Sequence, residues 1–241
     1  MSSPVRVTVL VPCYNEEATI VEILGVVRQQ QVEGAELEVV VVDDGSTDRT
    51  RELLAEHPEL YDKLILCEQN GGKGAAVRRG LEEASGEYIL FQDADLEYDP
   101  NDYPALLKPV VDHDADIVFG SRMVAPSCTR VAYFWHKVGN RLITLSFNVL
   151  NNTTFTDIYS CYLCLRLSLL DDVDLRVDGW AQQAEILGKA MRRAKRMYEV
   201  PINYYGRTYE EGKKIRWYHM ASVLSTIVST RVSRSIHQRL G

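Results

Sequence analysis

The sequence lacks the features of a chain that crosses or passes through a membrane. A spanning helix needs about 20 consecutive apolar residues, and no window of this sequence approaches that length without a charge. Met1 to Arg6 lead directly into a strand-like run with no small-residue cleavage site, so a secretory signal is not visible either. We therefore expect a cytoplasmic protein, with a peripheral position on the inner membrane face as an alternative.

Cysteine is scarce and its number is odd. The five cysteines are irregularly spaced, which does not suit a disulfide framework, so reduced thiols are expected. Cys161 and Cys164 form a C-x-x-C, but no second pair stands at zinc-finger spacing. We expect neither a metal nor a redox role for them.

Acidic residues are missing from the end of the chain, although the net charge is −7. Residues 1–120 carry 9 Lys or Arg and 25 Asp or Glu, whereas residues 121–241 carry 18 and 9. The overall pI near 5.3 argues against a nucleic-acid partner. The asymmetry suits a first half that attracts metal ions and a second half that attracts phosphate.

Repeats, low-complexity segments and interdomain linkers are also absent, and strand-like runs alternate with helical patterns. This alternation predicts an α/β fold with a Rossmann-like, mainly parallel central sheet flanked by helices. The predicted strands are 5–11, 37–42, 63–66, 88–91 and 117–120, followed after a helix at 130–150 by 158–165 and 198–205. Helices are predicted between them at 16–31, 48–56, 71–84 and 103–111, and later at 181–196.

Polar clusters follow four of these strands. Because ligands bind at the carboxyl ends of the strands in such sheets, we expect the clusters to form one site. The clusters are Tyr14-Asn15-Glu16, Asp43-Asp44-Gly45-Ser46, Asn70-Gly71-Gly72-Lys73-Gly74 and Asp93-Ala94-Asp95.

The acidic triplet Asp93, Asp95 and Glu97 suggests a metal site. Alternate residues of an extended chain point to the same side, so the three carboxylates would converge. Hard oxygen ligands suit Mg²⁺ or Mn²⁺ with a bound diphosphate. A solvated acidic turn is the alternative.

The other clusters each have more than one interpretation. The glycines around Lys73 would let a helix N-terminus approach an anion, or form a simple turn; this is not a Walker A loop. Asp43 and Asp44 could bind a second metal, accept hydrogen bonds from a nucleobase or ribose, or form a solvated turn. We prefer the nucleoside contact over the metal, and since adjacent carboxylates diverge, we expect at most one to face the ligand. Arg207 and Lys213 could neutralise a diphosphate or lie in a solvated loop. The basic helix predicted over 216–241 could lie on an anionic membrane, or pack on the domain or in a homo-oligomer interface.

Taken together, these motifs resemble family 2 glycosyltransferases of the GT-A fold, and within them the dolichyl- or polyprenyl-phosphate sugar synthases. The resemblance covers about residues 5–217, as a catalytic domain at 1–215 with a nucleotide-sugar half (1–120) and an acceptor half (121–215). The matching segments are Val11–Glu17, Val42–Asp48, Asn70–Gly74, Asp93–Glu97, Gly120–Arg122, and Glu199 through Arg207 to Lys214.

The resemblance also implies roles for individual residues. The nucleoside would meet Pro12, Tyr14, Glu16 and Asp44 or Asp43. Lys73 would approach the nucleotide, Asp93, Asp95 and Glu97 would hold the cation with Asp95 central, and Arg207 and Lys213 would close over the diphosphate. The acceptor phosphate would bind near Arg122, Lys137 and Asp157.

The expected reaction is inverting transfer of a sugar from a UDP- or GDP-sugar to a polyprenyl or dolichyl phosphate, with Mg²⁺ or Mn²⁺. A soluble hydroxyl acceptor is the alternative, and it would need a general base, for which Glu185 and Asp178 are candidates. A sugar nucleotidyltransferase would want a basic glycine-rich loop after the first strand, where this chain has Pro12 to Glu16. A non-catalytic binding module would not need the carboxylates.

Overall fold

The computed structural model describes residues 3–124, 134–206 and 219–240, and its main feature is one central β-sheet. Its seven strands are β1 (Val5–Cys13), β2 (Ala35–Asp43), β3 (Lys63–Leu66), β4 (Tyr88–Phe91), β5 (Ile117–Ser121), β6 (Leu163–Arg166) and β7 (Met197–Pro201). The α-helices are α1 (Ile20–Arg28), α2 (Thr50–Glu56), α3 (Lys73–Glu83), α4 (Tyr103–His113), α5 (Phe134–Asn151), α6 (Gln182–Ala190) and α7 (His219–Leu240).

The sheet is mostly parallel, in the order β3-β2-β1-β4-β6-β5-β7. β6 alone runs against its neighbours β4 and β5, so the carboxyl ends of the other six strands meet at one edge. This confirms the predicted α/β fold with a mainly parallel sheet.

The central strands are apolar without alternation because helices cover both faces of the sheet. Val39 to Val42 in β2 are all buried, as are Val9 to Val11 in β1. Glycine permits the closest helix approach: a Cβ on Gly80 of α3 would lie 2.1 Å from a methyl carbon of Leu10. Polar residues follow once the strands leave this core.

The structure shortens the last predicted elements. The strand expected over 158–165 is present only as β6, and the one over 198–205 ends at Pro201. β6 pairs with each neighbour through only three residue pairs. The chain before it is held by buried hydrogen bonds instead, such as that from the Cys161 amide to the Tyr98 hydroxyl (3.0 Å). The apolar run at 158–165 therefore indicates that these residues are buried, but not that all of them pair as a strand.

The C-terminal helix α7 packs on α5 and α6. Val223, Ile227 and Thr230 are buried along its inner face, and the Thr230 carbonyl accepts a hydrogen bond from Arg192 (2.8 Å). This contact agrees with the packing alternative stated for the helix. No helix in the part of the chain described here is long and apolar enough to cross a membrane.

Candidate active site

A cleft of about 310 Å³ opens at the shared carboxyl edge of the sheet. It collects residues from all four polar clusters together with a later segment of the chain. Its lining includes Pro12, Cys13, Tyr14, Glu16, Asp44, Asn70, Gly72, Lys73, Ala76, Asp93, Ala94, Asp95, Glu97, Gly179, Trp180 and Tyr204.

The loop after β1 is fixed by the loop after β2. Asn15 takes a positive φ of 53°, and its side chain accepts a hydrogen bond from the Thr47 amide (2.8 Å). The Glu16 amide donates to the Thr50 hydroxyl at 2.9 Å. These contacts hold Tyr14 and Glu16 at the cleft, where Tyr14 is 38% exposed.

Asp43 and Asp44 diverge at the end of β2, as adjacent residues of a strand do. Asp44 lines the cleft, whereas Asp43 is fully buried and accepts hydrogen bonds from Arg51 (2.5 Å) and the Ser46 amide (3.2 Å). The prediction that Asp43 itself contacts the nucleotide is therefore corrected: its carboxylate is turned into the fold and holds the following turn.

The glycine-rich loop is bound by the protein itself. The Asp44 carboxylate accepts hydrogen bonds from the amides of Gly71 (2.9 Å) and Gly72 (2.8 Å), and the Gly74 amide donates to the Asp178 carbonyl (2.7 Å). Three amides at the start of α3, which could have received an anion, are thus engaged internally. Lys73 is the residue by which the loop brings positive charge to the cleft.

Lys73 and Asp93 form an ion pair inside the cleft, with side chains 20% and 21% exposed. Burial alone would lower the pKa of Lys73, but the charge and hydrogen bond of Asp93, together with the charges of Cys161 and Asp95, outweigh this effect, so the pKa is raised and the ammonium persists. Trp180 faces the same ammonium, with its ring centroid 5.7 Å from Nζ.

The three carboxylates after β4 do not converge as predicted. β4 ends at Phe91, so Asp93 to Glu97 lie in a turn rather than an extended strand. Glu97 accepts a hydrogen bond from the Tyr204 hydroxyl at 2.7 Å, and Asp95 from the Glu97 amide at 3.1 Å. Across the described ranges, no three His, Cys, Asp or Glu side chains form a group that could hold a metal.

A site with fewer protein ligands still fits this donor set. Asp93 and Asp95 present hard oxygen donors at the cleft. Mg²⁺ and Mn²⁺ commonly bind one or two carboxylates and complete their coordination with water and substrate phosphate. Asp93 and Asp95 are therefore the residues that would hold a divalent ion, and Glu97 instead positions Tyr204.

One wall of the cleft was missed by the sequence analysis. Gly179 and Trp180 precede α6 and enter the cleft more than 80 residues after the acidic turn. This segment packs directly on the glycine loop: a Cβ on Gly72 would lie 2.6 Å, and one on Gly74 2.0 Å, from the carbonyl oxygens of Asp178 and Val177 respectively. An aromatic residue after glycine was the only signal in the sequence.

Glu185 lies behind this wall and does not line the cleft. Its carboxylate accepts hydrogen bonds from the amides of Arg176 (3.1 Å) and Val177 (2.9 Å) and pairs with Lys189 (2.6 Å). With only 5% exposure and these partners, it positions the segment that leads to Trp180. This geometry argues against Glu185 as the general base, a role for which it is one of two candidates if the acceptor is a hydroxyl. The other candidate, Asp178, is paired with Arg78 at the surface.

The predicted acceptor residues Arg122 and Asp157 meet in a bidentate ion pair. Nε and one terminal nitrogen of Arg122 lie 2.6 and 2.9 Å from the two carboxylate oxygens of Asp157. The guanidinium also lies 4.9 Å from the centroid of Tyr204, which joins the pair to the cleft. Burial would lower the pKa of Arg122, but Asp157 keeps it raised.

The remaining predicted residues are not part of this ion pair, and two of them lie outside the described residues. Lys137 is exposed on the first turn of α5. Arg207 and Lys213 lie outside the described residues. Pro12 lines the cleft beside Tyr14.

Comparison with known proteins identifies the family. The chain is 32% identical over 211 residues to glycosyltransferase AglJ of Haloferax volcanii, and 30% identical over 211 residues to a dolichol-phosphate mannosyltransferase of Pyrococcus furiosus. Each alignment covers 86% of this chain, which spans only 65% and 59% of the length of these two relatives.

Solved structures support the same fold. Glucosyl-3-phosphoglycerate synthase from Mycobacterium tuberculosis, in complex with Mn²⁺, UDP and glucosyl-3-phosphoglycerate, matches with a TM-score of 0.71 at 20% identity, covering 94% of this chain and 80% of that one. TarS of S. aureus with UDP-GlcNAc matches with a TM-score of 0.62 at 20% identity, covering 93% and 66%. The neighbours are GT-A glycosyltransferases. Since the model of Glycosyl transferase family 2 also matches residues 8–173, the chain belongs to that family.

Proposed function

We propose that this chain transfers a sugar from a nucleoside-diphosphate sugar to a polyprenyl or dolichyl phosphate, with inversion at the anomeric carbon. The observation that carries the proposal is the convergence of Asp44, Lys73, Asp93 and Asp95 on one cleft. A nucleotide sugar needs these groups together, because its nucleoside donates hydrogen bonds to acceptors and its anionic diphosphate binds positive charge.

The donor would lie with its nucleoside between Tyr14 and Asp44 and its diphosphate toward Lys73. A divalent ion, Mg²⁺ or Mn²⁺, held by Asp93 and Asp95 would supply positive charge for the departing diphosphate. Lys73 adds its own charge to that end of the cleft, and Arg207 and Lys213 are proposed to close over it. The glucosyl-3-phosphoglycerate synthase structures, which contain Mn²⁺ with UDP or UDP-glucose, support a UDP-sugar and a metal here.

The cations proposed for the acceptor side of the site, Arg122 and Lys137, favour an acceptor that carries a phosphate. Arg122 would orient the acceptor phosphate, with Asp157 fixing the guanidinium and Lys137 approaching from α5. A phosphate oxygen is already anionic at neutral pH, so it can attack without a general base. This matches the place of Glu185 behind the wall. The name of the mannosyltransferase relative also supports a polyprenyl-phosphate acceptor.

The test is transfer of radiolabelled sugar from a panel of UDP- and GDP-sugars, with Mg²⁺ or Mn²⁺, to matched acceptors. A short-chain polyprenyl phosphate and the corresponding alcohol differ only in the phosphate. We expect product from the phosphate alone. Transfer to the alcohol alone would refute the proposed acceptor and favour a hydroxyl acceptor, while no turnover of any donor would favour a binding module.

A further inference from the structure

Helix α5 has an apolar face that points away from the protein. Trp135, Leu142, Leu145 and Val149 are 77%, 52%, 58% and 73% exposed. Because an α-helix turns by about 100° per residue, these four side chains fall within an arc of about 80°. We call them the α5 stripe.

The opposite face of α5 already supplies its contacts with the fold. Ile143 and Phe147 are buried, and Gly139 faces Met220 of α7 at the N-terminal end. A helix that packs on a domain normally presents polar residues to solvent. The α5 stripe is therefore apolar surface beyond what packing requires, and contiguous surface of this kind marks interaction sites.

The charged residues of α5 and of α7, which packs on it, are all cationic. No Asp or Glu occurs from residue 117 to 156, or from 212 to 241, in a chain whose net charge is −7. Lys137 and Arg141 are exposed on α5, and by helical geometry they flank one side of the stripe. Helix α7, which packs against α5, belongs to the second acid-free segment.

The α5 stripe is also tied to the cleft. The chain leaves the carboxyl end of β5 at Ser121 and returns to the same edge of the sheet to enter the antiparallel β6. The ion pair of Arg122 and Asp157 closes this excursion at its base. The stripe therefore lies on the same β5–β6 connection that begins and ends beside the predicted acceptor residues.

We infer that the α5 stripe docks this protein on an anionic lipid surface, an inference that deepens the proposed function by naming where a lipid acceptor is met. Apolar side chains with an aromatic residue enter the boundary of the lipid, and flanking cations contact the headgroups. A second copy of the chain is a poorer occupant, because two acid-free basic faces would repel each other.

The test is co-sedimentation of the 241-residue chain with vesicles of phosphatidylcholine alone or with about a third phosphatidylglycerol. We expect binding to the anionic vesicles that weakens as salt is raised. Leu142→Ser combined with Leu145→Ser should reduce the bound fraction by about tenfold, since apolar area drives insertion. Leu66→Ser is the matched control, because Leu66 is 55% exposed at the edge strand β3 and outside the cleft lining.

Circular dichroism must show that the variants remain folded. Wild-type chain that ignores both kinds of vesicle, or a double variant that binds as wild type does, would overturn the inference. The inference would also be overturned if the wild-type chain formed a concentration-dependent dimer that the double variant abolished, while neither protein bound vesicles. Transfer to a short-chain prenyl phosphate in solution is measured separately. Vesicle binding without such transfer would refute the proposed function and leave the docking surface standing.

Discussion

Lys73 and Asp93 form an ion pair that joins the first residue of α3 to the turn after β4. The pair links the glycine-rich loop with the acidic turn, two segments that face each other only because β2-β1-β4 are neighbours in the sheet. In the proposed reaction, the ammonium remains available to the diphosphate while Asp93 keeps it in place. The two residues therefore contribute to binding as a unit.

Lys73→Ala should weaken binding of a nucleoside diphosphate by roughly 10- to 100-fold, the equivalent of a charge-assisted hydrogen bond of about 1.5–3 kcal/mol. Isothermal titration calorimetry with UDP and GDP measures the loss. Lys63→Ala is the control, since Lys63 pairs with Glu83 outside the cleft lining. Equal affinities for both variants would contradict the placement of the diphosphate.

Asp95→Ala should lower turnover by at least about a hundredfold, because the divalent ion that this carboxylate would hold would offset the negative charge that develops on the departing diphosphate. The residue lies in a turn, so its removal leaves no core cavity and the melting temperature should change little. Asp112→Ala on the outer face of α4 is the matched control. Activity within a few-fold of wild type would remove Asp95 from the proposed chemistry.

The sequence predicted the sheet and the location of the cleft because both follow from local patterns. Continuous apolar runs mark buried parallel strands, and the polar residues after them must gather at one edge. It did not resolve details that depend on one residue or on distant contacts. Only the structure separates Asp44 from Asp43, shows that the chain turns after Phe91, and brings Trp180 to the glycine loop.

Glu185 illustrates the same limit, and its role can be tested. Glu185→Ala would leave the buried amides of Arg176 and Val177 without an acceptor, so we expect a loss of about 1–3 kcal/mol in the free energy of unfolding. Glu185→Gln retains an acceptor oxygen and should recover much of this stability, with turnover near wild type. Chemical denaturation and pH-rate profiles measure the two effects. Loss of the acidic limb of the profile in Glu185→Gln, together with a large loss of turnover, would restore the residue as a general base.

Gly74→Ala tests the contact between the glycine loop and the Trp180 wall. Its Cβ would meet the Val177 carbonyl oxygen at 2.0 Å, so the wall must move. We expect a loss of about 1–3 kcal/mol in stability, typical of overpacking, and weaker donor binding. Gly25→Ala is the control, because no atom lies within 4 Å of its Cβ and alanine favours the helix α1 by about 0.5–1 kcal/mol. Equal melting temperatures for the two variants would exclude the proposed packing constraint.

Asp44 gives a prediction about pH. Burial raises the pKa of its carboxyl group, and the charge of Asp43 adds to this, against the opposing hydrogen bonds from Gly71 and Gly72. An acid whose pKa is raised in the folded state takes up its proton at a higher pH than the usual value of about 3.9. As the pH falls through that raised pKa, Asp44 becomes neutral and loses acceptor capacity toward the nucleoside.

As the pH is lowered, affinity for the nucleoside diphosphate should accordingly start to decrease at a pH higher than that at which an ordinary carboxylate is protonated. The raised pKa of Asp44 also affects folding stability, whose pH dependence is opposite in direction to that of ligand affinity. The folded state binds the proton more tightly than the unfolded state, so Asp44 contributes less to stability as the pH rises through its folded pKa. Titration calorimetry from pH 4 to 8, compared between wild type and Asp44→Asn, isolates the effect from titration of the ligand. The variant should bind more weakly at neutral pH and lack this decrease, and a pH dependence identical to that of wild type would show that another group is responsible.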